Sequence, residues 1–250
     1  MQHLKTIVIT GLMVLLVGTA AHAHMLWFNV SDHTPEKGDT VSLEIGFGHH
    51  FPNGEEIKAG RLKPLEIITP DGRSITAKEV YTGYYTFTPE QEGVYWVGTA
   101  MKPGFVSNTT TGRKLGSRKT LDNVVSCFAY RIMADTLVCC GASEKTAIDA
   151  TNESLEIVPL QNPVKIDNSR NLSVKVLFEG TPLAGVDVTA TRQGLEKEEI
   201  VKAITDSKGN ALLALNHEGP WMLMARHKKL YPDKAECDEY SYCKTLTIQF

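Results

Sequence analysis

Six histidines lie beyond residue 23, and their placement matters more than their number: His24, His33, His49, His50, His217 and His227. His24 follows Ala21-His22-Ala23, a small-x-small pattern of the kind that signal peptidase accepts. A cut after Ala23 leaves His24 with a free α-amino group, and that amine with imidazole Nδ1 closes a chelate ring on one metal ion. Reference values of about 7.7–8.0 for an α-amine and about 6.5 for imidazole mean that groups of these two kinds can lose their protons around neutrality when a metal competes. A cut after Ala21 instead leaves His22-Ala23-His24, whose amine, amide nitrogens and third-position imidazole wrap Cu(II) or Ni(II) in a plane. Nitrogen donors suit nickel, cobalt, copper and zinc, and no carboxylate-dominated calcium or magnesium site is suggested. His49 and His50 end a strand, and His227 ends Trp221 to Arg226, so His24, His49, His50 and His227 are the candidate ligands. Adjacent His49 and His50 point to opposite sides of an extended chain, and spacing does not choose between them. His33 and His217 read as surface polar residues.

The segment before His24 has the form of a removed leader. Lys5 gives a positive start, and Ile7 to Ala20 is an uncharged apolar run too short to span a bilayer comfortably. No second apolar run follows. Residues 1–23 are therefore expected to be a signal peptide, the working chain to be periplasmic, and no stable membrane span to remain after cleavage. The formal net charge of −3 and the absence of a basic, aromatic-laced run argue against nucleic acid.

The elements that must position the histidines read as strands. Val41, Leu43, Ile45 and Phe47 alternate with the period of a half-buried strand before Gly48-His49-His50-Phe51-Pro52. Pro70-Asp71-Gly72 reads as a hairpin turn, and Tyr84 to Phe87 and Gly93 to Val97 as a further strand pair. Met101 to Arg118, rich in Gly, Ser, Thr and basic residues, reads as a long surface loop or flap with solvated charges. After Gln161-Asn162-Pro163 the pattern restarts with Leu172 to Phe178 and Val186 to Ala190. No long helical period appears beyond the leader. The expectation is all-β: two immunoglobulin-like β-sandwich domains, residues 24–161 and 162–250, after the signal peptide.

Five cysteines in an exported chain suggest disulfides with at least one thiol left over. Cys237 and Cys243 flank a short acidic loop that they could staple. Cys139 and Cys140 would face opposite sides of a strand, which leaves Cys127 with one of them as the expected bridge. No nucleophile elbow, His-Glu-x-x-His helix, phosphate-cradling glycine loop or Cys-x-x-Cys pair is present, so no ordinary catalytic constellation is available.

Several segments together resemble the bacterial periplasmic family associated with nickel and cobalt uptake, a domain-of-unknown-function family with immunoglobulin-like domains. They are Ala23 to Trp27, Gly46 to Pro52, Leu155 to Pro163, Val176 to Gly185, Thr205 to Gly209, and Gly219-Pro220-Trp221 leading to His227. The resemblance implies a non-enzymatic, periplasmic binder of a Ni or Co ion that assists a membrane nickel/cobalt transporter component. It also implies His24, one of His49 and His50, and His227 as ligands converging from two domains. The cysteine-rich Cys127 to Cys140 region departs from the family pattern. Three other readings compete: a copper carrier, a copper oxygenase with a histidine brace of the kind found in polysaccharide-cleaving enzymes, and a metal-free immunoglobulin-like structural or adhesion module.

Overall fold

The computed structural model describes residues 24–141, 153–166, 170–193 and 198–249, so the expected leader lies outside the described residues. Apart from a 3-10 turn at Pro163–Lys165, regular structure among these residues is strand. In chain order the strands are β1 (Met25–Val30), β2 (Val41–Gly48), β3 (Glu66–Ile68), β4 (Ser74–Ile75), β5 (Lys78–Tyr81), β6 (Tyr84–Phe87), β7 (Gly93–Ala100), β8 (Gly104–Thr109) and β9 (Gly112–Leu115). They continue as β10 (Val124–Cys140), β11 (Leu155–Pro159), β12 (Asn171–Phe178), β13 (Thr181–Pro182), β14 (Asp187–Gln193), β15 (Glu198–Ile204), β16 (Asn210–Ala214), β17 (Pro220–Leu230) and β18 (Glu239–Gln249).

Three sheets result. A ten-stranded sheet runs β15-β14-β17-β18-β10-β7-β3-β4, with the β8–β9 hairpin attached to β10. A four-stranded sheet, β1-β2-β6-β5, packs on one of its faces, and β11, β12, β13 and β16 form the sheet on the other. The alternation of side chains along a strand makes this possible. Ala134, Val138 and Cys140 of β10 enter a core with Leu26, Leu43 and Phe87, while Met133 and Leu137 enter a second core with Leu172, Trp221 and Leu246. β10 is buried on both faces toward its end, which is why Ala134 to Cys140 carries so few charges.

The chain is thus an all-β sandwich protein, but the division expected between residues 161 and 162 is not a break in its hydrogen bonding. β11, before that point, pairs antiparallel with β12 after it, from Leu155 opposite Phe178 to Pro159 opposite Val174. The long sheet also crosses the division, because β10 and β18 pair in parallel from Phe128 with Glu239 to Thr136 with Thr247. The two cores share this sheet. Sequence spacing could not show this, since nothing local marks a strand pair so far apart.

Three local expectations are corrected. The basic stretch after Met101 is no open flap: β8 and β9 form a hairpin on β10. The disulfide joins Cys127 to Cys237 across a sequence separation of 110, and Cys139, Cys140 and Cys243 are buried free thiols. Cys139 and Cys140 do face opposite sides of β10, and burial pushes the Cys139 thiol up to about 12. His33, expected at the surface, is 3% exposed, with its ring Nδ1 2.8 Å from the carbonyl oxygen of Leu137.

Candidate metal centre

β1 begins one residue after His24 and is anchored on both faces. Leu26 and Phe28 enter the first core, whereas Met25 and Trp27 pack with Phe51, Met222 and Cys243 on the other side. Full burial of such side chains contributes about 1.5–3 kcal/mol each, so β1 holds its start firmly. Thr245 Oγ1 of β18 adds a hydrogen bond to the carbonyl oxygen of Leu26 at 2.5 Å.

β1 and β2 pair antiparallel up to Met25 opposite Gly48. The next positions outward are His24 and His49, which places their side chains together at the open end of the ladder. Their ring centroids lie 4.1 Å apart, and His24 stacks on Phe47 at 4.8 Å with 11° between the planes. His50 turns away and is exposed.

The chain then folds back over β2. The backbone N–H of Glu55 donates to the carbonyl oxygen of Phe47 at 2.6 Å, and the indole N–H of Trp27 and the Asn29 amide both donate to the carbonyl oxygen of Pro52. Two glycines permit the close approach. A Cβ at Gly46 would lie 2.1 Å from Trp27 Nε1, and one at Gly54 would lie 3.0 Å from the Phe47 nitrogen. The return brings Glu55 Oε1 to 3.7 Å from His24 Nε2.

One ligand atom from each of His24, His49 and Glu55 lies within 4.8 Å of the other two. Donors at about 2.0–2.2 Å from one ion are separated by up to roughly 4.2 Å, so a small closing of side chains completes a three-donor site. The His24 side chain is 39% exposed and that of Glu55 60%, which makes the site a surface one. Two imidazoles and one carboxylate are borderline donors suited to late first-row metals. A free α-amine at His24 would chelate through Nδ1, on the ring edge opposite the nitrogen that faces Glu55, and so offers an alternative position for the ion.

Of the expected ligands, His24 and His49 come together, while His50 and His227 do not join them. His227 packs against Phe178 at 4.4 Å and pairs across the strands with Tyr242, on the face of the second core. Its neighbour Arg226 takes the opposite face and lines the cavity beside His24. Burial and the nearby Lys229 hold the His227 imidazole below its ordinary value. His217 is a surface residue, 3.6 Å from Glu199. Glu55 was missed because nothing in Asn53-Gly54-Glu55 distinguishes a ligand from a turn carboxylate; the available signal was the run of Gly and Pro that returns the chain to β2.

The fold and this cluster define an all-β, sheet-sharing sandwich protein with a histidine–carboxylate group at the head of its first strand. The chain belongs to the family described as "Domain of unknown function (DUF4198)", which matches residues 21–229. No curated protein sequence matches it. Among solved structures it is similar to the D0-D1 domain of intimin, at 12% identity, covering 91% of this chain and 100% of that one with a TM-score of 0.24. A two-domain fibronectin type III segment of chicken tenascin gives 12% identity, 86% and 95% coverage and a TM-score of 0.21. A DUF4785 family protein from Legionella pneumophila gives 9%, 80% and 51%, and 0.24. Among the described residues no helix is long and apolar enough to cross a membrane.

Proposed function

We propose that this chain is an exported, periplasmic binder of a nickel or cobalt ion that hands its cargo to a membrane uptake transporter. The observation that carries the reading is the convergence of His24, His49 and Glu55 to within 4.8 Å. A carrier must bind and also release. Three protein donors at a half-exposed edge leave coordination positions open to water or a partner, whereas a closed four-donor site traps its ion. The pairing with a transporter rests on the resemblance of the sequence to uptake-associated proteins. Copper competes for the same donors, particularly if the His24 amine is free.

The test is calorimetric titration of the chain beginning at His24 with Ni(II), Co(II) and Cu(II), beside Glu55→Gln. Saturable binding of nickel or cobalt, weakened about tenfold or more in Glu55→Gln, supports the reading. Unchanged melting on metal addition favours the structural module instead. Copper-dependent oxygen consumption with a reductant and a polysaccharide favours the oxygenase.

A further inference from the structure

A cavity of about 310 Å³ opens beside the cluster, and His24 belongs to both. Its deepest wall is apolar: Met101, Val106 and Cys243 are buried there, and Phe47, Phe128 and Ile132 complete it. Around this wall stand Arg61, Arg113, Lys114 and Arg226, with the hydroxyls of Tyr130 and Ser241. Among the described residues no carboxylate lines it. That is contrary to the composition of the chain, in which acidic residues outnumber basic ones by 29 to 26.

Neutral groups are among the partners of these cations. Arg61 donates to the Tyr130 hydroxyl at 3.1 Å, the Arg113 guanidinium lies 5.3 Å over the Phe128 ring, and Arg226 Nε donates to the Met224 sulfur at 3.4 Å. Among the described residues Arg61, Arg113 and Lys114 make no salt bridge. Their charge is therefore directed at whatever enters. Guanidinium forks match carboxylates in shape and charge, and an apolar wall of this size suits a single ring.

We infer that this cavity binds a small heteroaromatic carboxylate, and that the ion is received as the chelate of that molecule. The inference rests on His24, His49 and Glu55 holding the ion. In the complex the ring lies on Phe47 and Phe128 and the carboxylates meet Arg61 and Arg113. The donor atoms of the ligand fill positions on the ion that the three side chains leave open. Selectivity then resides in the organic partner as well as in the metal.

Dipicolinate, a ring bearing two carboxylates that chelates Ni(II), is the probe. Calorimetry would compare Ni(II) alone with the one-to-one Ni(II)–dipicolinate complex, on the chain beginning at His24 and on its Arg61→Gln/Arg113→Gln/Lys114→Gln variant. The expected result is that the chelate binds about tenfold or more tighter than the bare ion, the scale of a lost charge-assisted contact. The variant should keep its affinity for bare Ni(II), which also verifies its fold, and lose that gain. If Ni(II) alone binds but dipicolinate only strips it from the protein, or the variant keeps the full gain, the inference is overturned while the metal site stands. No binding of Ni(II) alone overturns both.

Discussion

The rings of His24 and His49 lie 4.1 Å apart because each occupies the first position beyond the last ladder pair of β1 and β2. The pairing register fixes this relationship, so the proposed metal site depends on β1 being where it is. Removing any of the three donors should therefore act on affinity before it acts on stability. His24→Ala and His49→Ala should each weaken Ni(II) binding about tenfold or more, and His50→Ala and His227→Ala should leave it unchanged. Equal losses in all four variants would sink the assignment.

A residue added before His24 should also weaken binding, because it converts the α-amine to an amide and removes the Nδ1 chelate. If the extended chain binds as tightly and Glu55→Gln is still impaired, the ion sits on the Nε2 edge of His24. Binding should fall below about pH 6 as protons compete for imidazole and amine.

His33 and Asp135 should give opposite slopes of stability against pH. Burial holds the His33 imidazole below the ordinary 6.5, so its contribution is present above that value and is lost as pH falls below it. Burial pushes the Asp135 carboxyl up from 3.8 to about 7, against the pull of Lys244, whose Nζ is 2.5 Å away. Its contribution is complete below 3.8 and is lost as pH rises through 7. Urea unfolding across pH 4 to 8 should lose the acid-side slope in His33→Gln and the neutral-side slope in Asp135→Asn. Unchanged profiles would show that neither group differs between folded and unfolded states.

The Cys127–Cys237 bridge closes a loop of 110 residues. Long loops gain most from closure, and replacing both cysteines with serine should cost about 2–5 kcal/mol. Denaturant titration with and without reductant checks it, and a reductant effect persisting in the double variant would implicate another thiol.

Gly46→Ala should disturb the site without touching a ligand. Its methyl would fall 2.1 Å from Trp27 Nε1, and overpacking of this kind typically costs about 1–3 kcal/mol. Displacement of Trp27 releases its hold on Pro52 and with it the turn that presents Glu55. Both the melting temperature and Ni(II) affinity should drop, and a fall in melting temperature alone would separate the turn from the site.

Much of the local structure was readable before any fold was known. The alternation from Val41 to Phe47 gave β2, and Pro70-Asp71-Gly72 gave the turn of the β3–β4 hairpin. His24 and His49 were identifiable because they stand at the ends of segments. What failed was long-range pairing: β10 with β18, Cys127 with Cys237, and β11 with β12 depend on contacts that no local pattern encodes. His227 stands apart from His24 by one residue of parity, since on β17 it is Arg226 that lines the cavity beside His24.

The parallel seam of β10 and β18 also sets an order of events during synthesis. Trp27 and Met25, the footing of His24, rest on Cys243 and Met222, and β1 bonds to Thr245. The earliest part of the described chain therefore cannot settle until residues beyond 239 have been made and have slid in between β10 and β17. Such distant contacts form slowly. A chain in synthesis consequently carries His24 without its footing until translation has supplied the strand that props it up.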